Sequence, residues 1–151
     1  MLLIVTILFV LAGCSSKTNG NLHNPDKIIV KVEENQKELE KGKDKYSDVI
    51  FDRILELIEI RTSSNLDLVT MEIFDDMIKE AKKNCVILIY NKPVSDILEN
   101  GNKEKIQYTE FIVSTEKEYE NVAFVKEVDG QYIPIGLKEN LDYLMKSYIK
   151  N

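Results

Sequence analysis

Asn121-Val122-Ala123-Phe124-Val125-Lys126-Glu127-Val128-Asp129-Gly130-Gln131-Tyr132-Ile133-Pro134-Ile135 is the stretch that decides the fold. Apolar runs flank Asp129-Gly130, and an Asp-Gly pair between two strands predicts a type I′ hairpin, whose two central residues both need positive φ. Pro134 has no N–H to give to a ladder, so the second arm belongs at a sheet edge or stops pairing there. Upstream, Ile106 to Val113 reads as a strand with a slipped phase. Ile106 and Tyr108 share one parity and Phe111 and Val113 the other, which a bulge near Thr109-Glu110 reconciles. Cys85-Val86-Ile87-Leu88-Ile89-Tyr90 is continuously apolar, the pattern of a central strand covered on both faces. Pro93 and Asn100-Gly101 punctuate a loop between these two strands.

The first half of the chain is helical by its periodicity. Ser47 can cap a helix in which Ile50, Ile54, Leu57 and Ile58 form one apolar face. Thr70 can cap a second, with Phe74, Met77, Ile78 and Ala81 at the same spacing and Asn84 as its stop. Thr62-Ser63-Ser64-Asn65 links the two as a loop. Lys27 to Val32 alternates as a strand, with Ile28, Val30 and Val32 on one face, and charge-rich Glu33 to Lys45 is either a solvated loop or a frayed helix. A last helix is expected after Gly136, from Leu137, Leu141, Leu144, Met145 and Tyr148. The expected order is β-α-α-β-β-β-β-α: an α+β domain whose mostly antiparallel sheet is packed with helices.

At the N-terminus an uncharged apolar run from Leu2 closes on Leu11-Ala12-Gly13-Cys14. The run is too short to span a bilayer, which needs about 20 apolar residues, and it has the length of a signal-peptide apolar region, about 7–15 residues. Small residues before a cysteine let the segment lie extended in a peptidase groove, and the sulfur can carry a diacylglycerol. The stretch resembles the lipobox of bacterial lipoproteins, which implies lipidation of Cys14 and cleavage between Gly13 and Cys14. The basic segment that normally opens a signal peptide is missing from Met1-Leu2-Leu3, so a start codon assigned too late, with a basic segment upstream, is expected. Heavy use of Lys, Ile and Asn is similar to that of small lipoproteins from low-GC Gram-positive bacteria. The expected organisation is a signal peptide over 1–13, lipidated Cys14 and a flexible polar tether over 14–26, and a single α+β domain over 27–151. The address is the extracytoplasmic face of the cell membrane.

The 138 residues from Cys14 onward suffice for one core without disulfide or metal staples. With Cys14 acylated, Cys85 has no partner and reads as a small buried hydrophobe. The net charge of −6, with Lys interleaved among Glu and Asp, argues against nucleic acid, which demands clustered cations.

Chemistry-bearing residues are few. His23 is the only histidine and falls in the tether, which removes Ser-His-Asp and Cys-His arrangements and the common zinc ligand sets. The glycines are too scattered for a phosphate loop. Asp75-Asp76, Glu33-Glu34 and Glu116, Glu118 and Glu120 are the visible carboxylates. The first pair points to different sides of a helix, and the last three could hold calcium only weakly. Tyr90, Tyr108, Tyr132, Tyr143 and Tyr148 each fall at core-like positions of their own patterns. No catalytic residue, cofactor or metal is assigned. The expected function is non-enzymatic binding of an envelope protein or small ligand by a membrane-tethered domain. The alternatives are a small envelope hydrolase acting through acidic residues on polysaccharide, or an inhibitor or immunity lipoprotein that engages a partner through an edge strand or the Asp129-Gly130 tip.

Overall fold

The fold is seen in a computed structural model that describes residues 22–62, 66–99 and 103–138. The expected signal peptide, Cys14, the start of the expected tether and the expected last helix beyond Lys138 lie outside the described residues. So do Asn100-Gly101, Tyr143 and Tyr148.

The α+β expectation does not hold. Seven strands take nearly half of the described residues, almost all of them antiparallel, with only two helices among them. The order is β1 (Lys27–Val32), β2 (Asn35–Leu39), α1 (Lys45–Arg61), β3 (Leu66–Asp67), α2 (Asp75–Ala81), β4 (Asn84–Glu99), β5 (Glu104–Ser114), β6 (Val122–Glu127) and β7 (Tyr132–Gly136), with a single 3-10 turn over Lys117–Tyr119. Strands run β2-β1-β4-β5-β6-β7 across the sheet, and β3 pairs in parallel with the far half of β4.

Three local events turn the expected order into this one. Glu33-Glu34 makes a tight turn, with Glu33 at φ 53°, and Asn35–Leu39 folds back on β1. This segment is thus an edge strand, neither loop nor helix. The link after α1 contributes β3, whose Leu66 faces Leu98. Finally, Leu68 bridges Ile135 and the Val69 amide donates to the Pro134 carbonyl at 3.1 Å, so the chain stays extended through Phe74. Thr70 therefore caps nothing, and α2 is cut to 7 residues with Phe74 half-exposed before it. β3 also ties β7 back to β4, so β4, β5, β6, β7 and β3 close a circuit of pairings resembling a small barrel.

α1 is 17 residues long and keeps its expected apolar face, but its cap lies three residues earlier than expected. Asp44, in extended conformation, accepts from the Ser47 amide at 2.8 Å and the Ser47 hydroxyl at 2.6 Å, which satisfies helix-end donors that otherwise lack partners.

β4 is one strand of 16 residues where a strand over Cys85–Tyr90 followed by a loop was expected. Its register with β5 slips between Ile89 and Val94, around Pro93, which cannot donate. The bulge expected near Thr109-Glu110 is present: β6 pairs with Tyr108 and then with Glu110, skipping Thr109. The extra residue brings Ile106, Tyr108, Phe111 and Val113 into one core. Pro134 lies on β7, the last strand of the sheet path, beyond which the pairing continues only through the Leu68–Ile135 bridge and the Val69 amide bonded to the Pro134 carbonyl. The hairpin at Asp129-Gly130 forms with a different turn. Gly130 alone of the two has positive φ, 92°, and Glu127 pairs with Gln131 across a three-residue loop. The Asp129 carboxylate accepts from the Gln131 amide at 3.0 Å, and this side-chain turn removes the need for left-handed backbone at Asp129.

Both faces of the central strands are covered, as the continuous apolar run in β4 requires. On one face α1 sets Phe51, Ile54 and Ile58 against Ile28, Leu88, Phe111 and Val125. On the other, α2 and the segment before it set Ile78, Ala81 and Met71 against Cys85, Ile87, Ile112 and Phe124.

Candidate functional site

The bulge at Thr109 turns a carboxylate toward the α2 side of the sheet. Glu110 follows the unpaired residue and lies opposite Lys126 on β6, whose ammonium meets one of its oxygens at 3.1 Å. The other oxygen receives Lys82, from the turn after α2, at 3.2 Å. Lys82 also donates to the Tyr132 hydroxyl at 3.1 Å. Burial alone would lower the Lys82 ammonium, but the bond to Tyr132 and the charge of Glu110 outweigh it and hold the group above the ordinary lysine range. Four separate elements thus meet in one partly shielded network.

Lys82 and Tyr132 of this network line a groove of about 560 Å³ between α2 and the turn joining β1 to β2. Lys31, Lys79, Lys82, Lys83 and Tyr132 line it together with Glu33, Glu34 and Asp75. It is open and doubly charged, with cations and carboxylates on facing elements. Such a surface suits a polar ligand carrying charge of both signs, or a polar protein segment, better than an apolar molecule.

A second polar cluster lies across the far half of β4. Leu22 is buried in the α1-side core, and the chain from it runs along β4 toward β1. His23 Nε2 is 3.0 Å from the Ser95 carbonyl oxygen and 3.4 Å from Asp96 Oδ1, while the Tyr90 hydroxyl donates to the His23 carbonyl at 3.2 Å. Tyr108 donates to Asp96 Oδ2 at 2.6 Å. The Asp26 carboxylate caps the Asn91 amide at 2.7 Å, and the Asp26 amide donates to Ile89 at 2.9 Å. Burial first, and the charge of Asp96 behind it, push the Tyr90 hydroxyl well above the ordinary range. Tyr108 moves the same way through burial, its neighbour Tyr90 and Asp96. These phenols stay protonated and act as donors. The constellation is not a hydrolytic triad: one imidazole nitrogen faces both Asp96 and a backbone carbonyl, and the Ser95 hydroxyl is turned to Gln107.

The residues singled out from the sequence are dispersed. Asp75 and Asp76 are exposed at the start of α2, and Glu33 and Glu34 are exposed in the β1–β2 turn. Only Asp75, Glu33 and Glu34 come together, at the groove. Glu116 accepts from the Asn84 side chain beside the 3-10 turn, and Glu118 is exposed on that turn. Among the described residues, no group of three or more His, Cys, Asp or Glu side chains is placed to hold a metal ion. Tyr90 and Tyr108 are buried, whereas Tyr132 is the groove residue. His23 is docked on the barrel, a placement that the polar composition around it does not signal.

Cys85 is 1% exposed on the α2 side, its sulfur 3.6 Å from the Lys82 carbonyl, and burial pushes its thiol up to about 11. At neutral pH it is an unreactive thiol, because the thiolate is the nucleophile. Iodoacetamide should therefore leave Cys85 unmodified in the native domain at pH 7.5 over a time in which urea-unfolded protein reacts fully. Labelling at equal rates in the two states, read by mass spectrometry, would contradict the core placement.

Comparison with protein-family models, curated proteins and solved structures finds no match for this chain. Among the described residues, no helix is long and apolar enough to cross a membrane.

Proposed function

We propose that the chain is a lipid-anchored protein of the extracytoplasmic face of a bacterial membrane, working by binding rather than turnover through the groove lined by Lys82, Lys83 and Tyr132. The observation that carries the anchoring is Leu11-Ala12-Gly13-Cys14 at the end of an uncharged apolar run. Binding is supported by the groove, which is lined by Lys31 of β1 and by lysines of α2 and the turn after it, together with the carboxylates of Glu33, Glu34 and Asp75. Its partner is an envelope protein segment or a small polar ligand.

Metabolic labelling with an alkynyl fatty acid tests the anchor. Incorporation should be clear in the native chain and fall to background in Cys14→Ser, which should also leave the domain unanchored, because serine offers no thiolate for lipid transfer. Persistent labelling of that variant would overturn the assignment.

A further inference from the structure

The docked segment Leu22–Asp26 does more than start the domain; it sets where the leash to the membrane leaves the barrel. Leu22 is buried, and His23 is held against Ser95 and Asp96, on the far half of β4. The eight steps from Cys14 to Leu22 reach at most about 26–29 Å when fully extended. Were the chain free as far as Lys27, the reach would be about 43–47 Å, enough to let either end of a domain this size approach the bilayer. At the opposite end of β1, the Glu33 amide is bonded to Asn84 at the start of β4. The length of β1 alone separates that end from Lys27 by about 17 Å.

The leash end also carries exposed apolar side chains. Ile97, on β4 beyond the bulge, is 45% exposed, and Val128 in the hairpin loop, whose amide is bonded to Gln107 on β5, is 56% exposed. Apolar residues at a surface held near lipid gain from contact with the interfacial zone, while the charged Glu33-Glu34 turn is kept in water.

We infer that the docking of Leu22–Asp26 orients the domain on the membrane, with the Ile97 and Val128 end facing the lipid surface and the Glu33-Glu34 lip of the groove facing away. This rests on the anchoring proposed above. It means that the groove is presented to the wall or the exterior, so its occupant approaches from outside and not from within the bilayer.

The test does not depend on cellular acylation. The chain from Cys14 onward, carrying Cys85→Ala, is coupled through Cys14 to a maleimide lipid in nanodiscs containing a gadolinium-chelate lipid, and relaxation enhancement is read at every backbone amide. Broadening should be strongest at Ile97 and Val128 and at least threefold weaker at Glu33 and Glu34. Uniform broadening, or broadening greatest at the turn, would overturn the inference. Leu22→Asp combined with His23→Ala should flatten the gradient while leaving the amide shifts of β5 and β6 in place; an unchanged gradient would show that the docked segment does not orient the domain. Loss of fatty-acid labelling in cells would refute the anchor alone, since the nanodisc pattern is read with the lipid supplied chemically.

Discussion

Phe111→Ala is expected to remove most of the stability of the domain. The side chain is fully buried at the middle of β5, its ring 6.3 Å from that of Tyr108, on the face that α1 covers. Truncating a buried phenylalanine costs about 3–5 kcal/mol, because transfer free energy and residual cavity add, against a total of about 5–15 kcal/mol for a domain. The position offers little relief. It lies next to the Thr109 bulge, and its cross-strand neighbours Leu88 and Val125 are each fully buried. Urea unfolding should show a midpoint shifted strongly downward with the slope unchanged. A loss below about 1 kcal/mol would mean that this face is not packed as described.

The second large effect belongs to Asp96 and Tyr108. The tyrosine is buried and its hydroxyl reaches the carboxylate at 2.6 Å. Removing the carboxylate in Asp96→Ala strands that hydroxyl and withdraws a partner of His23, at a cost of about 1.5–3 kcal/mol for a hydrogen bond to a charged acceptor. Tyr108→Phe keeps the ring and should cost about 1–2 kcal/mol. The two should not add: once either group is gone, the other has lost its partner, so the double variant should fall short of the sum by more than about 1 kcal/mol. Additivity within about 0.5 kcal/mol would show that the pair is not coupled. In Asp96→Ala, hydrogen exchange of the Asn91 amide should accelerate if His23 and Asp26 hold the docked segment together, and protection equal to that of the native chain would separate them.

How much of this was legible in the sequence follows from how local each signal is. The Thr109 bulge could be read because it shifts the parity of large apolar residues within a single strand. The two-sided cover of Cys85–Tyr90 showed in an uninterrupted apolar run. β2 was hidden because it is an edge strand: Asn35, Gln36, Lys37 and Glu38 are all exposed and only Leu39 is buried, so no alternation marks it. β3 is two residues whose strand character comes wholly from Leu98 and Glu99, more than thirty positions away. The periodicity counted Phe74 into the second helix, whereas the backbone bond from Val69 to Pro134 keeps the preceding chain extended. The network beside the groove drew least on local pattern, since Lys82, Glu110, Lys126 and Tyr132 come from four elements; the three charged residues each look alone like ordinary surface residues, and Tyr132 reads as core. His23 was misplaced for the same reason, its partners Ser95 and Asp96 being 72 or more positions distant.

The path of the strands through the sheet also sets an order of assembly. β4 to β7 form a meander of sequence neighbours, whose pairings close short loops and can form early. β1 waits for β4, some sixty residues later, as in the pairing of Ile28 with Leu88. A chain that emerges amino-end first must therefore hold β1, β2 and the apolar face of α1 without their partner until the β4 segment has also emerged. Over that interval the unpaired edge of β1 is the part of the nascent chain most open to pairing with another molecule.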